Sequence, residues 1–339
     1  MTKSDNTPAV HSFMTYLKGF LKFAFVAGLL FFLVKKGFIS LEATHAALQH
    51  WDKMTLSLLA VFASTAMGVT RWQWLLRAQK IHLTWLRVLQ LTLIGVFFNI
   101  ALPGAVSGDF VKAFYIGKSL KTEKSRAFGS ILFDRVAGLS ALVLVSAGAL
   151  ILGLDSFIHS PLFSSIRILI VSTALSFLVF YAYLFLVKTH HDPVLKLFKR
   201  VERHYPKVEA LTRIYESLRQ YHHHRLTVAK VLGISILIHL TAGWCCLNYA
   251  QALGENHLSL LSVYVVVPLG LLVTAIPIAP AGVGTGNVAF LYFFGLIGSE
   301  RGADVFSLYA LSQIVVSAIG GIVYFRFKAD PSNAGLVRS

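Results

Sequence analysis

Residues 101–114 read ALPGAVSGDFVKAF, directly after the apolar run LQLTLIGVFFNI at 89–100. Pro103-Gly104 cannot continue a helix: proline lacks the donor N–H and glycine carries the highest backbone entropy cost. Asp109 and Lys112 follow within one turn's reach of each other. A charged pair just past a break in an apolar run decides how the whole chain is read.

The chain has 339 residues, of which 56% are hydrophobic and only 14% charged. Soluble domains carry about 25% charged residues. Several apolar runs approach the ~20 residues that span a bilayer. This is the composition of an all-α polytopic membrane protein. The net charge of +16 is explained by lysine and arginine gathering in cytoplasmic loops, and by attraction to anionic head groups, rather than by nucleic acid. The adjacent Cys245 and Cys246 point about 100° apart on a helix and read as small packing residues, not a disulfide. The first apolar run lacks a small-residue cleavage site and reads as a retained span.

Spans are expected at about 17–34, 54–70, 127–154, 162–187, 231–253 and 305–325. The segment from Arg71 to Arg87 is basic and reads as a cytoplasmic loop, with Trp72 and Trp74 in an interface belt. The run at 88–102 poses a conflict. If it crossed fully, the following Lys112, Lys118, Lys121, Lys124 and Arg126 would face outward. The conflict disappears if the chain turns at Pro103-Gly104 in mid-membrane and returns on a half-helix from about Gly108. Such irregular backbone is tolerated at membrane depth only inside protein or beside a cavity.

A second break, PIAPAGVGTGN at 277–287, follows the run 258–276. Pro277, Pro280, Gly282 and Gly284 would shape a second hairpin, entered from the opposite side. The expected architecture is about six full spans plus two re-entrant helical hairpins in an inverted-repeat arrangement. In that pattern the breaks mark the binding site. Residues 1–16 would be a short cytoplasmic N-terminus, 17–325 the transmembrane domain and 326–339 a cytoplasmic tail. The loop 188–230 holds ten basic residues. Its apolar positions recur at helical spacing, as in a surface-lying amphipathic helix with a break at Pro206.

Asp134-Arg135 sits near the start of a long apolar helix. Charges within a membrane helix are costly, and adjacent residues do not face each other, so the two should have different partners. Asp109, Lys112, Asp134, Arg135 and Asn287 are the candidate substrate-binding residues. A purely structural ion-pair role for the four charged residues stays open. Asn99, His239 and Gln313 read as interhelical hydrogen-bonding residues. His222-His223-His224 reads as a solvated face. No catalytic constellation, metal-ligand spacing or cofactor motif is evident.

The segments LPGAVSGDFVKAFYIGK, AFGSILFDRVAGLSALVLV and IPIAPAGVGTGNVAF together resemble the lysylphosphatidylglycerol synthase transmembrane-domain family, also called the flippase-like domain family. The resemblance covers roughly residues 15–325. It implies translocation of a phospholipid or a lipid-linked anionic head group between leaflets of a bacterial cytoplasmic membrane. Its alternatives are an integral-membrane transferase using a polyprenyl-phosphate-linked donor, with Asp109 or Asp134 as base, and an accessory subunit in envelope biogenesis. Since Ser339 follows soon after the last span, a stand-alone member without the soluble aminoacyltransferase is expected. The implied partners are membrane lipids, anionic phospholipid or polyprenyl-phosphate-linked lipid, with no nucleic acid; a homo-oligomer is left open. Two positions depart from the family pattern: Lys112 stands where arginine is common, and Asn287 where glutamate is common. The second departure makes a cationic, aminoacylated lipid a weaker candidate than an anionic one.

Overall fold

The computed structural model describes residues 35, 40–101, 107–119, 124–152, 161–188, 191–275, 282 and 284–327. The regular structure among them is helical: α1 (Leu41–Leu48), α2 (Trp51–Ala78), α3 (Trp85–Ala101), α4 (Ser107–Ser119), α5 (Lys124–Leu152), α6 (Pro161–Leu186), α7 (Pro193–His204), α8 (Glu209–Arg219), α9 (Arg225–Ala252), α10 (Leu260–Thr274), α11 (Thr285–Gly295) and α12 (Gly302–Arg326). Five are long and apolar enough to cross a membrane: α2, α5, α6, α9 and α12. The chain is an all-α polytopic membrane protein. The expected span at 17–34 lies outside the described residues, as do Pro103, Gly104, Pro277 and Pro280.

The shorter apolar helices α3 and α10 each fold back on a partner. In the first pair the Ser107 hydroxyl donates to the Phe98 carbonyl (2.9 Å) and the Gly108 amide to Asn99 Oδ1 (2.8 Å). A Cβ on Gly108 would sit 1.9 Å from the Gly95 carbonyl oxygen. Contact passes from Phe98 with Ser107 to Gly95 with Lys112, falling along α3 as it rises along α4, so α3 and α4 form an antiparallel hairpin. In the second pair Gly270 packs against Phe290, and a Cβ on Gly282 would meet that of Thr274 at 2.6 Å. Gly282 (φ +69°) and Gly284 (φ +90°) occupy the left-handed region that other residues avoid. Membrane helices gain little from apolar burial against one another, so close approach over small residues is what holds them.

The two hairpins are related by an exchange of partners. Helix α3 packs on α12, and its counterpart α10 packs on α5. The counterparts α2 and α9 pack on each other, with Lys53 bonded to Gln251, Cys245 to the Ser57 carbonyl and Arg71 to Ser235. As the α2 number rises the α9 number falls, so these helices are antiparallel. A two-fold axis along the helices would have left them parallel. The relation between the halves is therefore an inversion.

Three expectations are corrected. Helix α2 continues through Arg71 to Ala78, so this stretch is not a loop; an ion pair made by Arg71 removes the need to leave the bundle. Trp72 is buried, not in an interface belt, and donates to Ser130 Oγ (3.2 Å). The segment 193–219 breaks at Pro206, as its sequence predicts, but its halves fold together. Phe198 stacks on Tyr215 and Lys199 pairs with Glu216 at 3.0 Å. The cause is a buried ion pair between Asp192 and Arg219 (2.8 Å). Asp192 also caps α7 and accepts from Tyr183 and Tyr215, while Arg219 donates to the Leu184 carbonyl in the last turn of α6 (3.1 Å) and to the Val187 carbonyl just past it.

Candidate functional site

Four of the five candidate residues meet at one place. Asp109 and Lys112 lie on α4, one turn apart, and pair at 3.3 Å. Arg135 on α5 reaches the other oxygen of Asp109 with its Nε. Asp134, its neighbour in sequence, points elsewhere and takes a fork of two bonds from Arg71 on α2, Nε to Oδ1 at 2.7 Å and Nη2 to Oδ2 at 2.8 Å. Arg71 Nη1 donates to Ser235 Oγ on α9 at 3.1 Å. The adjacent acid and base thus have different partners, because side chains one position apart on a helix diverge. Bidentate guanidinium–carboxylate pairs are the strongest of such bonds.

These groups line a cavity of about 660 Å³ between the two halves. Its wall takes residues from α2, α3, α4, α5, α9 and α12, together with Leu271 and Ala275 at the end of α10. Lys112 reaches it beneath the face of Trp72, with Nζ 5.1 Å from the ring centroid. That is within reach of a cation–π attraction. Phe110 is more than half exposed at its rim. The lining combines these charged groups with apolar side chains such as Val61, Leu139 and Ile238.

The charges in the lining do not balance. Among the described lining residues, Arg71, Lys112 and Arg135 face Asp109 and Asp134, which leaves one positive charge over. Bringing a third negative group there restores neutrality, and bringing a cation worsens the imbalance.

Sequence reasoning missed Arg71 and placed three other residues only in part. Asn99, His239 and Gln313 also line the cavity. Asn99 holds the Gly108 amide, and His239 Nε2 lies 3.0 Å from the Gly138 carbonyl, so their hydrogen-bonding role and their place in the wall coincide. The available signal for Arg71 was Asp134 itself: a carboxylate among apolar residues, with a sequence neighbour that cannot face it, requires a cation from another helix.

Asn287 stands apart from this cavity. It is the second hairpin's counterpart of Asp109: Ser107-Gly108-Asp109 and Thr285-Gly286-Asn287 occupy the same place at the start of α4 and α11. Its Oδ1 accepts from the Gly284 amide (3.0 Å), and its Nδ2 donates to the Ala303 carbonyl and Ser307 Oγ on α12. Asp109 binds α5 through charge, and Asn287 binds α12 through neutral hydrogen bonds. The inverted halves are thus alike in shape and unlike in charge.

Among the described residues no group of three or more His, Cys, Asp and Glu side chains is placed to hold a metal. His222 contacts the Leu184 carbonyl at 3.0 Å, and His223 is exposed. Cys245 and Cys246 are buried free thiols.

The family profile of the lysylphosphatidylglycerol synthase TM region matches residues 19–322. The chain belongs to this family. Membership places it among multi-pass membrane proteins concerned with lipids or their head groups. No curated protein and no solved structure matches the chain.

Proposed function

We propose that the protein is a translocase that moves a phospholipid, or another lipid with an anionic head group, between membrane leaflets. The observation that carries this is the cavity at the boundary of the inverted halves, with three cationic side chains against two carboxylates. A bare charge at the bilayer centre costs roughly 2.5–3.5 kcal/mol on insertion scales. A fixed positive surplus at that depth offsets the cost for a phosphate, while the acyl chains stay in lipid beyond Phe110.

In this reading Arg135 and Lys112 contact the head group, and Asp109 holds both cations in place between turnovers. Arg71 and Asp134 fix α2 to α5. The two hairpins are the parts that rearrange, since irregular backbone lining a cavity is where transporters of this architecture bind. The location is a bacterial cytoplasmic membrane. Residues 17–325 form one transmembrane domain, and both termini and the basic segment 188–230 lie inside, where positive charge gathers.

The test is head-group-labelled lipid exchange in proteoliposomes. Exchange of anionic lipid above protein-free vesicles supports the proposal. Its absence with folded protein, together with product formation from a polyprenyl-phosphate-linked donor, replaces it with a transferase.

A further inference from the structure

A second recess, of about 640 Å³, lies between α4, α5 and α8. Phe114 and Phe128 form its apolar side, Ile214 on α8 its far wall, and Lys118 and Lys124 its polar edge. Both lysines are exposed, and Phe114 is 64% exposed. Phe128 lines this recess and the central cavity alike, and its ring lies 6.4 Å from that of Phe110 at the cavity rim. Phe128 is thus a wall of both spaces.

We infer that this recess is a docking site for an anionic phospholipid of the adjoining leaflet, on the way to the central cavity. Two ammonium groups beside an apolar cleft match a phosphate attached to acyl chains. Lysine suits such a waiting position: a mobile point charge holds a phosphate without the planar fork that locks it. The exposed Phe110 and Phe114 are stable against lipid and not against water. The head group rests between Lys118 and Lys124, and passes Phe110 and Phe128 to reach Arg135. The inference rests on the translocase reading for its direction, but the docking itself needs no transport.

The experiment attaches a benzophenone through the thiol of Phe114→Cys; Cys245 and Cys246 are buried and stay unlabelled. The protein is placed in vesicles of equal parts phosphatidylglycerol and phosphatidylcholine and irradiated. Crosslinks to phosphatidylglycerol should exceed those to phosphatidylcholine roughly tenfold, and Lys118→Gln with Lys124→Gln should abolish the preference. If Phe114→Cys does not fold, Ala210→Cys on the opposite wall carries the same probe. Equal crosslinking of the two lipids, or a preference that survives loss of both lysines, overturns the docking site. Selective crosslinking without lipid exchange leaves the site standing and overturns translocation; exchange with unselective crosslinking does the reverse.

Discussion

Arg71 and Asp134, 63 positions apart, meet in a two-bond fork within the bundle, both largely buried. The pair ties α2 to α5 and forms one wall of the cavity. Removing one partner leaves a charge in a poorly solvated place, which costs about 3–5 kcal/mol. Arg71→Leu and Asp134→Leu should each lower thermal stability in detergent sharply, and the double variant should recover much of the loss. Additive losses would mean that the two side chains do not act as a pair.

The first hairpin depends on glycine at its crossing. Gly108→Ala would drive a methyl group into the Gly95 carbonyl, 1.9 Å away. Overpacking of this kind costs about 1–3 kcal/mol or more, because backbone has to move. Gly68, in the cavity wall, has nothing within 4 Å of an added Cβ. Gly68→Ala should be neutral or stabilise by about 0.5–1 kcal/mol through helix propensity. Size-exclusion profiles after graded heating check the contrast.

How far the fold was legible follows from the same residues. The hairpins could be read because Pro and Gly announce broken helices and because the basic residues after the first break conflict with a full crossing before it. Asp134 and Arg135 could be assigned different partners from helix geometry alone. Arg71 could not be found that way: a basic residue late in an apolar run looks like the start of a loop until its carboxylate, contributed by another helix, is in place. The helices of 193–219 were legible from their apolar period. Their folding together was not, since it depends on Asp192 meeting Arg219. Helix α1 escaped because eight residues carry too little periodicity to stand out.

Asp192 gives a pH test outside the membrane helices. Burial works against its charge, but bonds from Tyr183, the Leu195 amide and Tyr215, and the Arg219 guanidinium, outweigh it and hold the carboxyl below its ordinary value of 3.8. A lowered folded-state pKa gives stability that is complete above the unfolded value and lost as pH falls through the folded one. Thermal stability should therefore decline as the pH drops below about 4. Asp192→Asn should be less stable at neutral pH and show a flatter acid limb. An unchanged acid limb in the variant would remove Asp192 from the account.

The cavity cations should differ in what they tolerate. Lys112→Arg keeps the charge beside Asp109 and should retain most exchange. Lys112→Gln brings the cavity to neutrality and should slow exchange of anionic lipid by about tenfold, the effect of ~1.4 kcal/mol. Equal initial rates for the two variants would show that the charge itself is not used.

The most direct measurement is the rate of lipid exchange in proteoliposomes as a function of head-group charge, for the native chain and for Arg135→Gln, with folding verified by monodisperse elution. The account predicts that anionic lipid exchanges faster than zwitterionic or cationic lipid, and that the advantage disappears in the variant. Exchange indifferent to head-group charge, or an anionic preference undiminished in folded Arg135→Gln protein, would contradict it.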